Sequence, residues 1–189
     1  MSMTEAHIIG LASIFNAKGV SIQDPTLAAQ LDHVHSSIPG EIFPSDEVIS
    51  YQGIPFAFPL TETVENDVIS CDGQIIEVNA PSSFQTLAFL GFSLFGDYQD
   101  KFTIQYVDGI EEEARFGLTN WKQYKTGTPL FGEQIAMSLP YYVENMILTE
   151  LPRTIWLQKV ALRHSEHIKQ VILPRNPYLI VIALTLCNV

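Results

Sequence analysis

Residues Phe84 to Asp108 (FQTLAFLGFSLFGDYQDKFTIQYVD) carry two dense apolar stretches separated by the polar run Gly96-Asp97-Tyr98-Gln99-Asp100. Leu87 to Leu94 is apolar almost without a break, which by periodicity alone suits a buried helix as well as a strand. Its phenylalanines, the internal Gly91 and the turn that follows favour a strand. The second stretch alternates, with Phe102, Ile104 and Tyr106 on one face and Thr103, Gln105 and Val107 on the other. It runs into Asp108-Gly109, a hairpin signal. Two such strands need a second sheet to cover them, so the class is all-β.

The rest of the chain extends this pattern. His7 to Phe15 is apolar and stops at Asn16-Ala17-Lys18-Gly19, residues suited to a turn. Ser21 to Pro44 is broken by Pro25, Pro39, Gly40 and Pro44 and reads as a long ordered loop, with room in Leu27 to Leu31 for at most a short helical turn. Ile54, Phe56 and Phe58 share one face, but Pro55 and Pro59 remove backbone donors, as expected of an edge strand. Val68 to Val78 is a strand interrupted at Asp72-Gly73 by a hairpin or bulge. Leu179 to Leu186 is apolar on both faces, the pattern of a central strand covered on both sides. With no helix-length amphipathic period and many short strands between Gly, Pro and Asn turns, a β-sandwich or barrel follows. At 189 residues the chain fits a single domain spanning 1–189.

Charge narrows the partners. The formal net charge is -11, with only ten Lys and Arg residues scattered along the chain. That disfavours nucleic acid and anionic membranes, which need clustered cations. Residues Tyr178 to Val189 cover about half of the roughly 20 residues a spanning helix requires, so they read as a strand. The first residues lack a basic start followed by an apolar core, which leads to the expectation of a soluble, cytoplasmic protein. The charged fraction of 16% is low and makes self-association into a homo-oligomer plausible. Cys71 and Cys187 both fall in apolar strands and are expected to be buried, reduced thiols.

Several phrases in order resemble a known family. They are Phe15-Asn16 with Gly19-Val20, Gly53-Ile54-Pro55-Phe56 with Pro59, and Asn66-Asp67-Val68 leading to Asp72-Gly73-Gln74-Ile75-Ile76. Leu90-Gly91, Tyr106-Val107-Asp108-Gly109, Trp121 and Ile155-Trp156-Leu157 follow, then Leu173-Pro174-Arg175-Asn176-Pro177 and Ala183-Leu184-Thr185. Together they resemble the galactose-binding-domain-like β-sandwich modules that accompany bacterial and fungal glycoside hydrolases. The resemblance implies a jelly-roll sandwich, carbohydrate binding at loops on one end and, in some members, a structural calcium. It does not imply catalysis.

The chemistry legible in the residues agrees with a binding role more than with an enzyme. There is no Gly-x-Ser-x-Gly elbow, no Gly-rich phosphate loop and no carboxylate pair that stands out. His33-Val34-His35 and His164-Ser165-Glu166-His167 have metal-like spacing without further ligands beside them. Asp24 and Asp32 are weak calcium candidates, since their spacing matches no defined calcium loop. Sugar binding needs a flat aromatic face and nearby planar polar groups. Trp121 and Tyr124, with Asn120 and with Arg115 on the preceding strand, supply both and form the expected site for a neutral carbohydrate. Tyr141-Tyr142 is a second aromatic candidate. Two placements stay open for Trp121: the rim of the sandwich, or the core at a strand end.

Overall fold

Strand β8 (Thr86–Ser93) is buried at every position, so both of its faces need cover. The computed structural model describes residues 5–22, 29–122 and 128–188. In it β8 lies inside a six-stranded sheet ordered β1 (Ala6–Ile9), β16 (Arg175–Cys187), β8, β14 (Arg153–Ala161), β11 (Gln134–Leu139), with β6 (Ile69–Asp72) also paired to β16. One face is covered by a four-stranded sheet of β10 (Glu111–Leu118), β9 (Tyr98–Tyr106), β15 (Ile168–Ile172) and β7 (Ile75–Glu77). The opposite face receives the hairpin of β4 (Val48–Tyr51) and β5 (Ile54–Ala57), tied down where the Thr185 hydroxyl donates to Pro55 O at 2.6 Å. A further four-stranded sheet, β13 (Ile147–Thr149), β12 (Tyr142–Glu144), β3 (Ser36–Pro39) and β2 (Val20–Ser21), includes one parallel pair, β2 with β3.

The fold is a β-sandwich. Among the described residues the helical segments are two three-residue 3-10 turns, Ala12–Ile14 and Gly40–Ile42. Among the same residues no helix is long and apolar enough to cross a membrane.

Three phenylalanines, one from each of three strands, join the two main sheets. Phe89 of β8 stacks on Phe116 of β10 with centroids 4.6 Å apart and planes 8° apart, and Phe102 of β9 meets Phe89 edge-on at 5.3 Å. Phe102 and Phe116 close the triangle at 5.7 Å. Each such pair contributes about 0.5–1.5 kcal/mol beyond the area it buries. Next to this cluster the glycine in the apolar run finds its explanation. A Cβ on Gly91 would lie 2.1 Å from the carbonyl oxygen of Ile180 on β16, a backbone atom that cannot move aside.

The two stretches that dominate the sequence do not pair with each other. β8 belongs to the six-stranded sheet and β9 to the four-stranded one, so the polar run between them carries the chain across the sandwich. Their burial patterns differ for this reason: β8 is enclosed on both faces, whereas β9 buries only Phe102, Ile104 and Tyr106 in its second half. Asp72-Gly73 likewise makes neither a hairpin nor a bulge. It passes the chain from β6 on β16 to β7 on β15, with Gly73 at φ +75°. Asp108-Gly109 does close a hairpin between β9 and β10, with Gly109 at φ +88° and its N–H donating to Tyr106 O at 3.1 Å. Gln52 and Gly53, both at positive φ, form the two-residue turn between β4 and β5.

A buried ion pair fixes the N-terminal part. Lys18 Nζ lies 2.5 Å from Asp67 Oδ2, and the Gly19 N–H donates to Oδ1 of the same carboxylate at 2.6 Å. Burial pushes the Asp67 carboxyl up from its ordinary pKa, while the Lys18 ammonium and the Gly19 and Val20 N–H groups draw it back.

Two expectations follow. Gly91→Ala should lower stability by about 1–3 kcal/mol or more, because the added methyl has to force β8 from β16; an unchanged urea midpoint would contradict the strand contact. Both thiols are free and buried. Burial pushes the Cys187 thiol up to about 11, and Cys71 is raised further. Ellman titration at pH 8 should therefore label neither until the protein is unfolded, and rapid labelling of the native chain would sink this burial map.

Candidate functional site

At the end of β8 the chain turns through Leu94-Phe95-Gly96-Asp97, and the Leu94 N–H donates to Tyr178 O at 2.9 Å. That bond sets Tyr178 of β16 beside Phe95. Phe95 has φ +63°, in the left-handed region that a bulky side chain disfavours by roughly 1–2 kcal/mol. Its ring points outward: Phe95 is 46% and Tyr178 42% exposed. The two rings meet edge to face at 5.7 Å and 84°. Each is backed by a parallel neighbour, Phe95 by His33 at 5.0 Å and 14°, and Tyr178 by Tyr98 at 5.4 Å and 20°. Four rings from three separate segments thus form a two-walled aromatic corner on the surface.

The loops beneath the corner are held by polar contacts. The Ser93 hydroxyl lies 2.5 Å from Gly96 O and 2.8 Å from Leu118 O. The Asn120 N–H donates to Asp97 Oδ1 at 2.8 Å, and the Trp121 N–H to Ser93 O at 3.1 Å. Asp32, before His33, accepts the N–H groups of Val34 and Ser36 on Oδ1, and its Oδ2 lies 3.7 Å from Lys122 Nζ. This ion pair ties the His33 loop to the Trp121 loop. On the other side Asn176 accepts the Tyr178 N–H at 3.2 Å and donates to Asp100 at 3.4 Å. Asp97, between Phe95 and Tyr98 in the chain, is exposed. The arrangement offers flat apolar faces edged by hydrogen-bonding groups.

The residues singled out from the sequence are distributed differently. Trp121 is fully buried: it stacks on Phe92 at 4.7 Å and 15°, and Tyr142 meets its edge at 5.9 Å. It has no free face for a sugar, and the core placement is the correct one. The reason is that β8 leaves Phe92 needing cover on the face away from the four-stranded sheet. Arg153, itself buried, sits 3.5 Å from the Tyr142 centroid and 5.4 Å from that of Trp121, a guanidinium held against two aromatic faces. Tyr142 also donates its hydroxyl to Glu144, and burial pushes its pKa up, with Glu144 adding to the effect.

Asn120 is half-buried and accepts the Lys122 N–H with its side chain. Arg115 is exposed on β10, paired with Lys101 and away from the Trp121 loop. Tyr124 and Asp24 lie outside the described residues. Asp32 is buried and faces an ammonium, an arrangement that already supplies its counter-charge. Among the described residues no group of three or more His, Cys, Asp or Glu side chains could hold a metal ion. Tyr141 donates to Glu41 at 3.3 Å. His164, from the second histidine motif, bonds Asp108 at 2.8 Å and packs edge-on to Tyr106, which ties its loop to the β9–β10 turn. The Ile110 N–H and His164 hold the Asp108 carboxyl below its ordinary pKa.

A model of the AziU2-like beta-sandwich domain matches residues 5–189. The chain belongs to that family. The match spans both main sheets and every ring of the corner in this family member, and it describes a β-sandwich without reference to galactose-binding-like modules or glycoside hydrolases. A comparison with curated proteins finds no match.

No pattern in the sequence joins Phe95, Tyr98, Tyr178 and His33 into one surface. The local signal is that Phe95 and Tyr98 flank the turn dipeptide Gly96-Asp97 and Tyr178 follows Pro177, which places all three at turns or strand ends. What brings Tyr178 beside Phe95 is the pairing of β8 with β16, which no local pattern contains.

Trp121→Ala should lower stability by about 3–5 kcal/mol, the cost of emptying a buried aromatic site. Chemical denaturation measures it. A loss under about 1 kcal/mol, the size expected of a surface change, would show that the indole is not part of the core.

Proposed function

We propose that the protein is a non-catalytic module that binds a neutral carbohydrate, in the manner of galactose-binding-like sandwiches, through the corner formed by Phe95 and Tyr178. The observation that carries this reading is the exposure of two large aromatic rings, Phe95 and Tyr178, each stacked on a neighbouring ring, His33 and Tyr98. Sugar rings present an axial C–H face to such surfaces and hydroxyls to their edges, and Asp97 is exposed in the turn between Phe95 and Tyr98. A neutral ligand suits the protein's net charge of -11, which repels anions at long range. The affinity is expected in the micromolar to millimolar range, because a shallow surface buries little of its ligand.

A second reading, assembly into a homo-oligomer, is favoured by the β12–β13 hairpin, where Met146, Ile147 and Leu148 are all exposed. Three successive exposed apolar residues leave neither face of β13 covered.

NMR titration with a panel of neutral mono- and oligosaccharides tests the first reading. Shifts that saturate in the wild type and vanish in Tyr178→Ala are expected, with no glycan consumed over time. Saturable binding that survives Tyr178→Ala rejects this surface, and turnover rejects the non-catalytic role. Repeating the titration with calcium chelated tests the structural calcium implied by the resemblance. Sedimentation of the same samples, with Ile147→Asp alongside, reports on the oligomer.

A further inference from the structure

The corner's geometry restricts what form of carbohydrate it can take, an inference that rests on the carbohydrate reading of this surface. A flat polysaccharide face, such as a crystalline fibre surface, meets a protein through aromatic rings that share one plane. The exposed rings here do not. Phe95 and Tyr178 stand at 84° to each other, and each stacks on a near-parallel neighbour, Phe95 on the exposed His33 and Tyr178 on the half-buried Tyr98, so neither can swing into the plane of the other without losing a stacking contact. Phe95 projects from a left-handed backbone position, φ +63°, which turns its Cβ away from the direction an extended strand end would give. The Leu94–Tyr178 hydrogen bond sets the spacing of the walls.

We infer that the site takes the end, or a single bent segment, of a soluble glycan chain, and not a planar polysaccharide face. One sugar ring lies with its C–H face on one wall and an edge on the other. A continuous flat sheet of sugars is blocked by whichever wall it does not lie on. The specificity-determining residue is Phe95: its ring is the second wall, and its left-handed backbone suits glycine, so Phe95→Gly removes the wall while relieving backbone strain.

The experiment has two arms on the full chain. Soluble hexaoses of cellulose, chitin, xylan and mannan are titrated calorimetrically, and microcrystalline cellulose and chitin powders are tested for depletion of the protein from solution. Saturable binding to a soluble hexaose, weakened at least tenfold in Phe95→Gly and in Tyr178→Ala, with no depletion by the powders, is the expected result. Depletion by a powder that Tyr178→Ala abolishes, without binding to any hexaose, overturns this inference and leaves the carbohydrate reading standing. Hexaose binding unaffected by Phe95→Gly overturns the two-wall geometry. Failure of both probes overturns both readings. Urea denaturation of Phe95→Gly, expected at or near the wild-type midpoint, keeps a loss of binding from being mistaken for unfolding.

Discussion

Everything in this structure answers to the need to cover β8 on both faces. A strand with eight consecutive buried residues is unstable at an edge or on a solvated sheet, because each exposed apolar side chain forfeits on the order of 1.5–3 kcal/mol of burial. The four-stranded sheet supplies one cover through Phe102 and Phe116 packed against Phe89. The other comes from the β4–β5 hairpin and from Trp121 stacked on Phe92. Because sheet and hairpin approach from opposite sides, the connections into and out of β8 have to cross between layers. They do so at the ends of the sandwich, where the loops collect.

That arrangement accounts for the fate of Trp121. A tryptophan at the end of a strand, beside a Gly- and Pro-containing loop, suits a ligand platform by composition. It is drawn inward by the uncovered ring of Phe92 and held there by Tyr142 and Arg153. The exposed aromatic surface is displaced to the other side of the same turn, onto Phe95 and Tyr178. The core and the candidate site are thus built from consecutive segments of chain, Phe92 facing in and Phe95 facing out, with the left-handed backbone at Phe95 reversing the direction. Strain at such a position is tolerated because Leu94, Ser93 and Asp97 are each fixed by hydrogen bonds to other strands.

Apart from the Thr185–Pro55 bond that ties down the β4–β5 hairpin, polar groups mainly set the loops. Lys18–Asp67 fastens the segment before β2 to that before β6, and Asp32–Lys122 joins two loops under the corner. Breaking a buried pair leaves a charge without a partner, so these contacts specify which loop meets which more than they add net stability. Glu133 works similarly, accepting the N–H groups of Thr119 and Phe131 and so shaping the segment ahead of β11.

By itself the sequence determined the all-β class, the alternation of β9, the double burial of β8 and β16, the hairpin at Asp108-Gly109 and the buried state of both cysteines. These are properties of local pattern: side chains alternate with period two along a strand, and a strand buried on both faces loses that alternation. Only the tertiary structure decided that β8 and β9 part into different sheets, that Asp72-Gly73 changes layer, and that Trp121 goes in while Phe95 stays out. Those outcomes depend on which strands become neighbours across long separations in sequence, such as Leu94 with Tyr178. A ring's exposure is set by what those neighbours leave uncovered, and not by the residues next to it in the chain.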